Sequence, residues 1–132
     1  MKQSFKVVEI KETPITLGEY FLTLLHSATN THLLHLQSRS FSQHMALGTY
    51  YDEVVELIDS LIEAYQGKNS TIVQYPNIYY PPIDDALTEL TNISLYVQSN
   101  RSIVGADTEL QNITDEIQQL IDSTIYKLTF LK

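Results

Sequence analysis

Four stretches of this chain carry apolar residues at helical spacing, and the links between them are unequal in length. The first stripe is Leu17, Phe21, Leu24 or Leu25, and Ala28, running on into His32 and His35. The second is Phe41, His44, Leu47 or Gly48, Tyr51, Val55, Ile58 or Asp59, and Ile62. The third is Leu87, Leu90, Ile93 or Ser94, and Val97. The fourth is the cleanest: Leu110, Ile113, Ile117, Leu120, Thr124, Leu128 and Leu131. Ser38-Arg39-Ser40 separates the first pair, and a short stretch ending at Gly105 separates the last pair. The middle link, residues 67–83 (GKNSTIVQYPNIYYPPI), is long. Short links make antiparallel neighbours, whereas a long one lets the chain cross the bundle. The expectation is an all-α fold: one four-helix bundle domain over residues 1–132, with a long crossover and an N-terminal tail at 1–14.

The helix ends carry their own signals. Thr16 precedes Leu17 with Glu19 three residues on, a capping box, and Ser40 with Gln43 suggests a second one opening a helix near Phe41. Gly67 suits the left-handed residue that ends a helix. Asp84 and Asp85 suit the first turn of the third helix, where the dipole favours anions, and Asp107 suits the cap of the fourth. Gly48 costs about 1 kcal/mol against Ala inside the second helix, which calls for close packing at that point. The tail carries Phe5, Val7 and Val8 and is compatible with a short strand or a docked arm. Tyr75, Tyr79 and Tyr80 make the long link too apolar for a free linker, so it packs on the bundle or on a neighbouring subunit.

Composition narrows the function classes. The length of 132 residues allows one domain with a real core, and with no cysteine there is no disulfide framework or thiolate metal site. The N-terminal MKQSFKVVEIKE lacks the apolar core of a signal peptide, and no apolar run is long enough to span a bilayer. The expectation is a cytoplasmic protein with no membrane partner. Net charge is −8 and the few basic residues are scattered; Lys2, Lys6 and Lys11 of the tail are opposed by Glu9 and Glu12. Salt-sensitive DNA binding is therefore not expected.

Chemistry is concentrated in one pattern. His44 follows His32 by 12 residues, Asp59 follows His44 by 15, and Glu63 comes 4 later, one helical turn on. All four are metal-ligand types on helical stretches. His44 and Asp59 share one helix, so they stand roughly 22 Å apart at a rise of 1.5 Å per residue. No single ion spans that distance. If both pairs hold one ion, they come from two antiparallel subunits across a two-fold axis. Imidazole with carboxylate and no sulfur suits Fe, with Zn or Mn as alternatives. Asp52 lies one turn beyond Gly48 and His35 one turn beyond His32, within reach of the same site.

His32, Phe41, His44, Asp59 and Glu63 resemble the ferroxidase signature of the Dps miniferritins, and the likeness runs from about Leu17 to Gly67. The last helix, ending LIDSTIYKLTFLK with Tyr126, is also similar to that family's. The stretch FSQHMALGTYYDEVVELIDSLIEAYQG further resembles uncharacterised ferritin-like proteins of tailed phages, which would place the chain in a host cytoplasm. The resemblance implies a ferritin-like bundle with iron at a site shared between subunits, ferroxidase and iron-storage chemistry, and a closed shell, most often of twelve subunits. His32 and His44 match the family's histidines, and Asp59 and Glu63 its acidic pair. Gly48 stands where a fifth, acidic ligand belongs, which weakens the implied ferroxidase. Leu33 replaces an aromatic, and Phe41 lies one residue nearer His44 than the family's spacing.

Other classes remain. A ferritin-like scaffold without chemistry would assemble and ignore metals. Glu53 and Glu56 form an ExxE like that of all-α Mg-dependent nucleotide pyrophosphohydrolases. That fold needs a second acidic pair, for which only Asp84/Asp85 and Asp115/Glu116 are candidates. On a simpler view Glu53 and Glu56 are a solvated helix face.

Overall fold

A computed structural model describes residues 14–132; the expectation for the tail falls mostly on residues 1–13, outside the described residues. Four α-helices follow: α1 (Leu17–Gln37), α2 (Phe41–Asn69), α3 (Ala86–Asn100) and α4 (Thr108–Phe130), with a 3₁₀ turn at Arg101–Val104. The all-α expectation holds for the described residues.

Each helix end shows how the sequence sets its bounds. At α1 both halves of the capping box form: the Glu19 amide donates to Thr16 Oγ1 at 3.1 Å, and the Thr16 amide to Glu19 Oε1 at 2.7 Å. At α2 only half of the expected box forms. Ser40 Oγ accepts from the Gln43 amide at 3.3 Å, but the Gln43 side chain turns to Ser38 Oγ at 3.1 Å. The far end of α2 lies beyond the expected Gly67. The helix runs to Asn69, and Ser70 takes the left-handed conformation at φ 50° and ψ 49°. Gly67 stays helical, and the Thr71 amide reaches back to the Gln66 carbonyl. At α3, Asp85 lies one residue before the first turn as its N-cap, with its carboxylate accepting from the Thr88 amide at 2.8 Å. Asp107 takes the N-cap position of α4 without a side-chain cap bond; it faces Lys68 at 3.7 Å instead.

The inward faces follow the apolar stripes. Tyr20, Phe21 and Leu24 of α1, Leu47, Tyr50, Val54, Ile58 and Leu61 of α2, Leu90 of α3, and Leu110, Ile117 and Ile121 of α4 are buried. The stripes depart from expectation at several points: Phe41 and Val55 of α2, Leu87 of α3 and Leu131 are exposed, and Tyr50 and Val54 take the inward face of α2. On α1 the buried face continues through Ser27, Asn30 and Thr31, while His32 and Leu33 are exposed. The hydroxyls of Ser27 and Thr31 bond to carbonyls one turn back, at 2.6 and 2.7 Å, which lets them enter the core satisfied.

Around the bundle α1 packs on α2, α2 on α4, α4 on α3, and α3 on α1. The helices joined by the long link, α2 and α3, are thus not packing neighbours. A simple up-down-up-down bundle would pair them. The link itself is irregular and lies against α1. A Cβ built on Gly18 would stand 1.9 Å from the Gln74 carbonyl oxygen, so backbone passes directly over that glycine. Val73 is buried, and its amide donates to Gln66 Oε1 at 2.9 Å. Further on, the Tyr79 hydroxyl donates to Asn30 Oδ1 at 2.7 Å, and Asn30 Nδ2 donates to the Tyr80 carbonyl at 3.2 Å. These bonds satisfy a side chain that is only 6% exposed.

Candidate functional site

The corner between α1 and α2 gathers three of the chain's imidazoles. His35 and His44 stack with ring centroids 3.6 Å apart and planes 18° apart. Each ring is tied to the other residue's backbone. His35 Nδ1 donates to the His44 carbonyl at 2.6 Å, and His44 Nδ1 donates to the His35 carbonyl at 2.9 Å. A carbonyl only accepts, so both Nδ1 atoms carry hydrogen, and Nε2 bears the lone pair of each neutral ring. The second bond also gives a partner to a carbonyl in the last turn of α1.

His32 is placed differently from expectation. Its ring stacks on Tyr51 at 4.1 Å and 8°, and stands 6.1 Å from His35. Within one chain the ring stacked on His44 is that of His35. The signal that could have revealed this is the nine-residue separation of His35 and His44 about the Ser38–Ser40 break, which brings their helices face to face. Gly48 takes its meaning from the same contact. A Cβ there would meet His35 Cε1 at 3.1 Å and Nδ1 at 3.3 Å. The close packing expected at Gly48 is the seat of an imidazole. Asp52 and Tyr51 share a shallow hollow with His35 and Gly48, and Asp52 is exposed.

Asp59 and Glu63 lie further along α2, both exposed. Beside Asp59 stands Tyr75 of the long link, whose phenol is held above its ordinary range by burial and, second, by the Asp59 charge. Glu63 borders a depression formed with Gln66, Gly67, Ser70 and Ile72 where α2 ends. One chain therefore does not unite the histidine half of the pattern with its acidic half. Among the described residues no group of three or more His, Asp or Glu is placed to hold a metal ion. The stacked His35 and His44 rings lie in near-parallel planes, so their lone pairs do not converge on one point. What the corner offers is single imidazole donors with fixed tautomers. This is the arrangement in which a backbone carbonyl orients a metal-ligating histidine.

Of the other acidic candidates, some are committed elsewhere and others face solvent. Asp115 pairs with the Arg101 guanidinium at 2.5 Å, Asp85 caps α3, and Glu53 and Glu56 are exposed. The α3 cap hydrogen bonds hold the Asp85 carboxyl below its usual range. No helix among the described residues is long and apolar enough to cross a membrane.

A family model covers residues 35–128, more than half of the chain, and spans both the His35–His44 clasp and the acidic pair. The chain belongs to DUF5856, a family of unknown function. His32 precedes the stretch that the DUF5856 model covers. No curated protein and no solved structure matches the chain.

Proposed function

We propose that this DUF5856 chain is a ferritin-like protein that binds iron, or zinc or manganese in its place, between two subunits. His44, with His32, supplies one half of the site, and Asp59 and Glu63 of a second copy supply the other; Asp52 lies alongside. The observation that carries the reading is the orientation of His44. Its Nδ1 is tied to a backbone carbonyl at 2.9 Å, leaving Nε2 as the donor, on the same helix as an exposed Asp59/Glu63 pair one turn apart. The order of helices around the bundle supports it too, since a crossover link between non-neighbouring α2 and α3 is what a ferritin-like bundle requires. Oxidation of the bound iron, and a closed shell of twelve subunits, are extensions of the same reading.

The test is complementation between two dead halves. Calorimetric titration with Fe²⁺ or Zn²⁺ loses binding in both His44→Ala and Glu63→Ala. Unfolded, refolded and mixed, the two variants regain part of it, because one hybrid site has both halves intact. If the mixture binds no better than either variant, the shared site is wrong.

A second reading is favoured by Gly48. The position of the fifth, acidic ligand is filled by the His35 ring, and among the described residues of one chain no ligand cluster forms. That suits an assembly scaffold, which would oligomerise equally well with and without metal. The pyrophosphohydrolase reading has no such support, since Asp85 and Asp115 are already engaged.

A further inference from the structure

A second cleft lies on the other side of α1, and it has no part in the shared metal site. The end of the long link folds over the middle of α1 and the start of α3 and encloses about 250 Å³. That is slightly below the usual range for small-molecule pockets, roughly 300–1,000 Å³. We infer that this cleft binds a small organic amine carrying an apolar or aromatic body.

The charge of the lining sets the sign of the ligand. Glu89 contributes a carboxylate, and among the described residues no lysine or arginine lines the cleft. His26, edge-on to Tyr79 at 4.7 Å, does not offset that charge, because burial holds its imidazole below the usual range and the ring is neutral near pH 7. Asp85 already occupies the α3 N-terminus, so the helix dipole is answered before Glu89 is reached. Asn30 forms the floor but is spent on structure. It accepts from Tyr79 and donates to the Tyr80 carbonyl and, at 3.4 Å, to Glu89 Oε2. Only the last and longest of these reaches Glu89, and it leaves carboxylate lone pairs for an incoming donor. An anion would face Glu89 directly. A neutral ligand would desolvate the carboxylate without pairing it, which is costly.

The rim sets the body of the ligand. Tyr80 is 74% exposed and Ile83 is 90% exposed, and both line the cleft with Ile93 behind them. An ammonium on Glu89 would carry a short hydrocarbon or ring across these side chains, covering apolar surface that water now wets. Tyr80 also offers a ring face to the cation.

The probe is 2-phenylethylamine, with phenylacetate and 2-phenylethanol as anionic and neutral partners of the same shape. Binding is read from the His26 ring-proton shifts in NMR, identified by their loss in His26→Gln. The expected result is a saturable shift with the amine, a much weaker one with the alcohol and none with phenylacetate. Glu89→Gln should weaken amine binding about tenfold, the scale of a charge-assisted hydrogen bond. Ile83→Ser, at a position too exposed to support the fold, should weaken it severalfold with an unchanged melting temperature. Phenylacetate binding as tightly as the amine, unchanged affinity in Glu89→Gln, or no saturable His26 shift with the amine would each overturn the inference.

Discussion

The motif Leu-Gly-x-Tyr occurs twice in the bundle, and the two copies are built to opposite tolerances. Leu17-Gly18-Glu19-Tyr20 opens α1, and Leu47-Gly48-Thr49-Tyr50 lies within α2 beside the histidine corner. Both tyrosines are completely buried. Both glycines lack room for a side chain, but the obstacle differs: backbone of the long link over Gly18, a histidine side chain over Gly48. The hydroxyls differ as well. Ser27 Oγ donates to the Leu24 carbonyl at 2.6 Å, so Tyr50 is the donor in its 2.8 Å bond to Ser27. The Tyr20 hydroxyl, stacked against Tyr96 at 5.9 Å, finds no hydrogen-bond partner among the described residues. The corner beside the histidines satisfies its polar groups and can give a little; the start of α1 is sterically rigid and electrostatically unfinished.

Gly18→Ala is the sharpest way to break that comparison. A methyl 1.9 Å from the Gln74 oxygen cannot be housed by a rotamer change, because the obstacle is backbone. The link must lift off α1, taking Tyr75 with it. The loss should reach about 3 kcal/mol, the upper end of overpacking costs. Urea unfolding followed by circular dichroism measures it; a loss below that of the tyrosine variants would show that the link yields freely.

The tyrosines come next, and their signs should be opposite. Tyr50→Phe removes a satisfied donor and leaves Ser27 Oγ without one, a loss of about 1 kcal/mol. Tyr20→Phe removes a buried hydroxyl that has no partner among the described residues, so stability should stay level or rise by up to about 1 kcal/mol. The same pair contributes to the alkaline limb, with Tyr75 and Tyr96. Burial pushes the Tyr20 phenol up to about 12 from 10.0, and raises Tyr50 further still. A raised folded-state value means that this stability is complete below pH 10 and falls as pH rises toward 12. Urea midpoints at pH 9 and pH 11 should therefore differ less in Tyr20→Phe than in the parent. An equal drop in both would place the alkaline weakness elsewhere.

Much of the fold is legible in the sequence, because it rests on periodicity and caps. The four helices, the Thr16/Glu19 box and the long link each follow from local rules that tertiary contacts leave standing, although Phe41, Val55, Leu87 and Leu131 of the expected stripes stay exposed. Three features are not local and escape such reading. The end of α2 passes Gly67, and Ser70 accepts the left-handed turn instead. His32 leaves the buried face because Thr31, its hydroxyl bonded back to Ser27, takes the inward position. The stacking of His35 on His44 also escapes such reading, since ring stacking across a helix corner depends on how two helices meet. The candidate site was legible as residue types at a spacing, and the within-chain geometry that turns those types toward particular atoms was not.

Gly48→Ala should have the smallest effect on stability, yet it bears most directly on the site. Two terms oppose each other. Replacing a helical glycine gains about 1 kcal/mol in propensity. Against this, the new methyl meets His35 at 3.1–3.3 Å, and the ring must give way by a few tenths of an ångström. The ring is not free to do so at no cost. It is held by the 2.6 Å bond to the His44 carbonyl and by its stack on His44. Weakening that neutral hydrogen bond forfeits about 1 kcal/mol, so the two terms nearly cancel and the net change should stay within about 0.5 kcal/mol. The displacement should be plain where stability is silent, as altered ring-proton shifts for both His35 and His44. Gly48→Asp carries the same methylene and adds a charge, so it displaces His35 before it can serve as a ligand. If Gly48→Asp strengthens Zn²⁺ binding with the His35 and His44 resonances unmoved, the imidazole seat is not what the glycine is for. If the resonances move and binding weakens, the corner is a fitted clasp whose first duty is to hold His44.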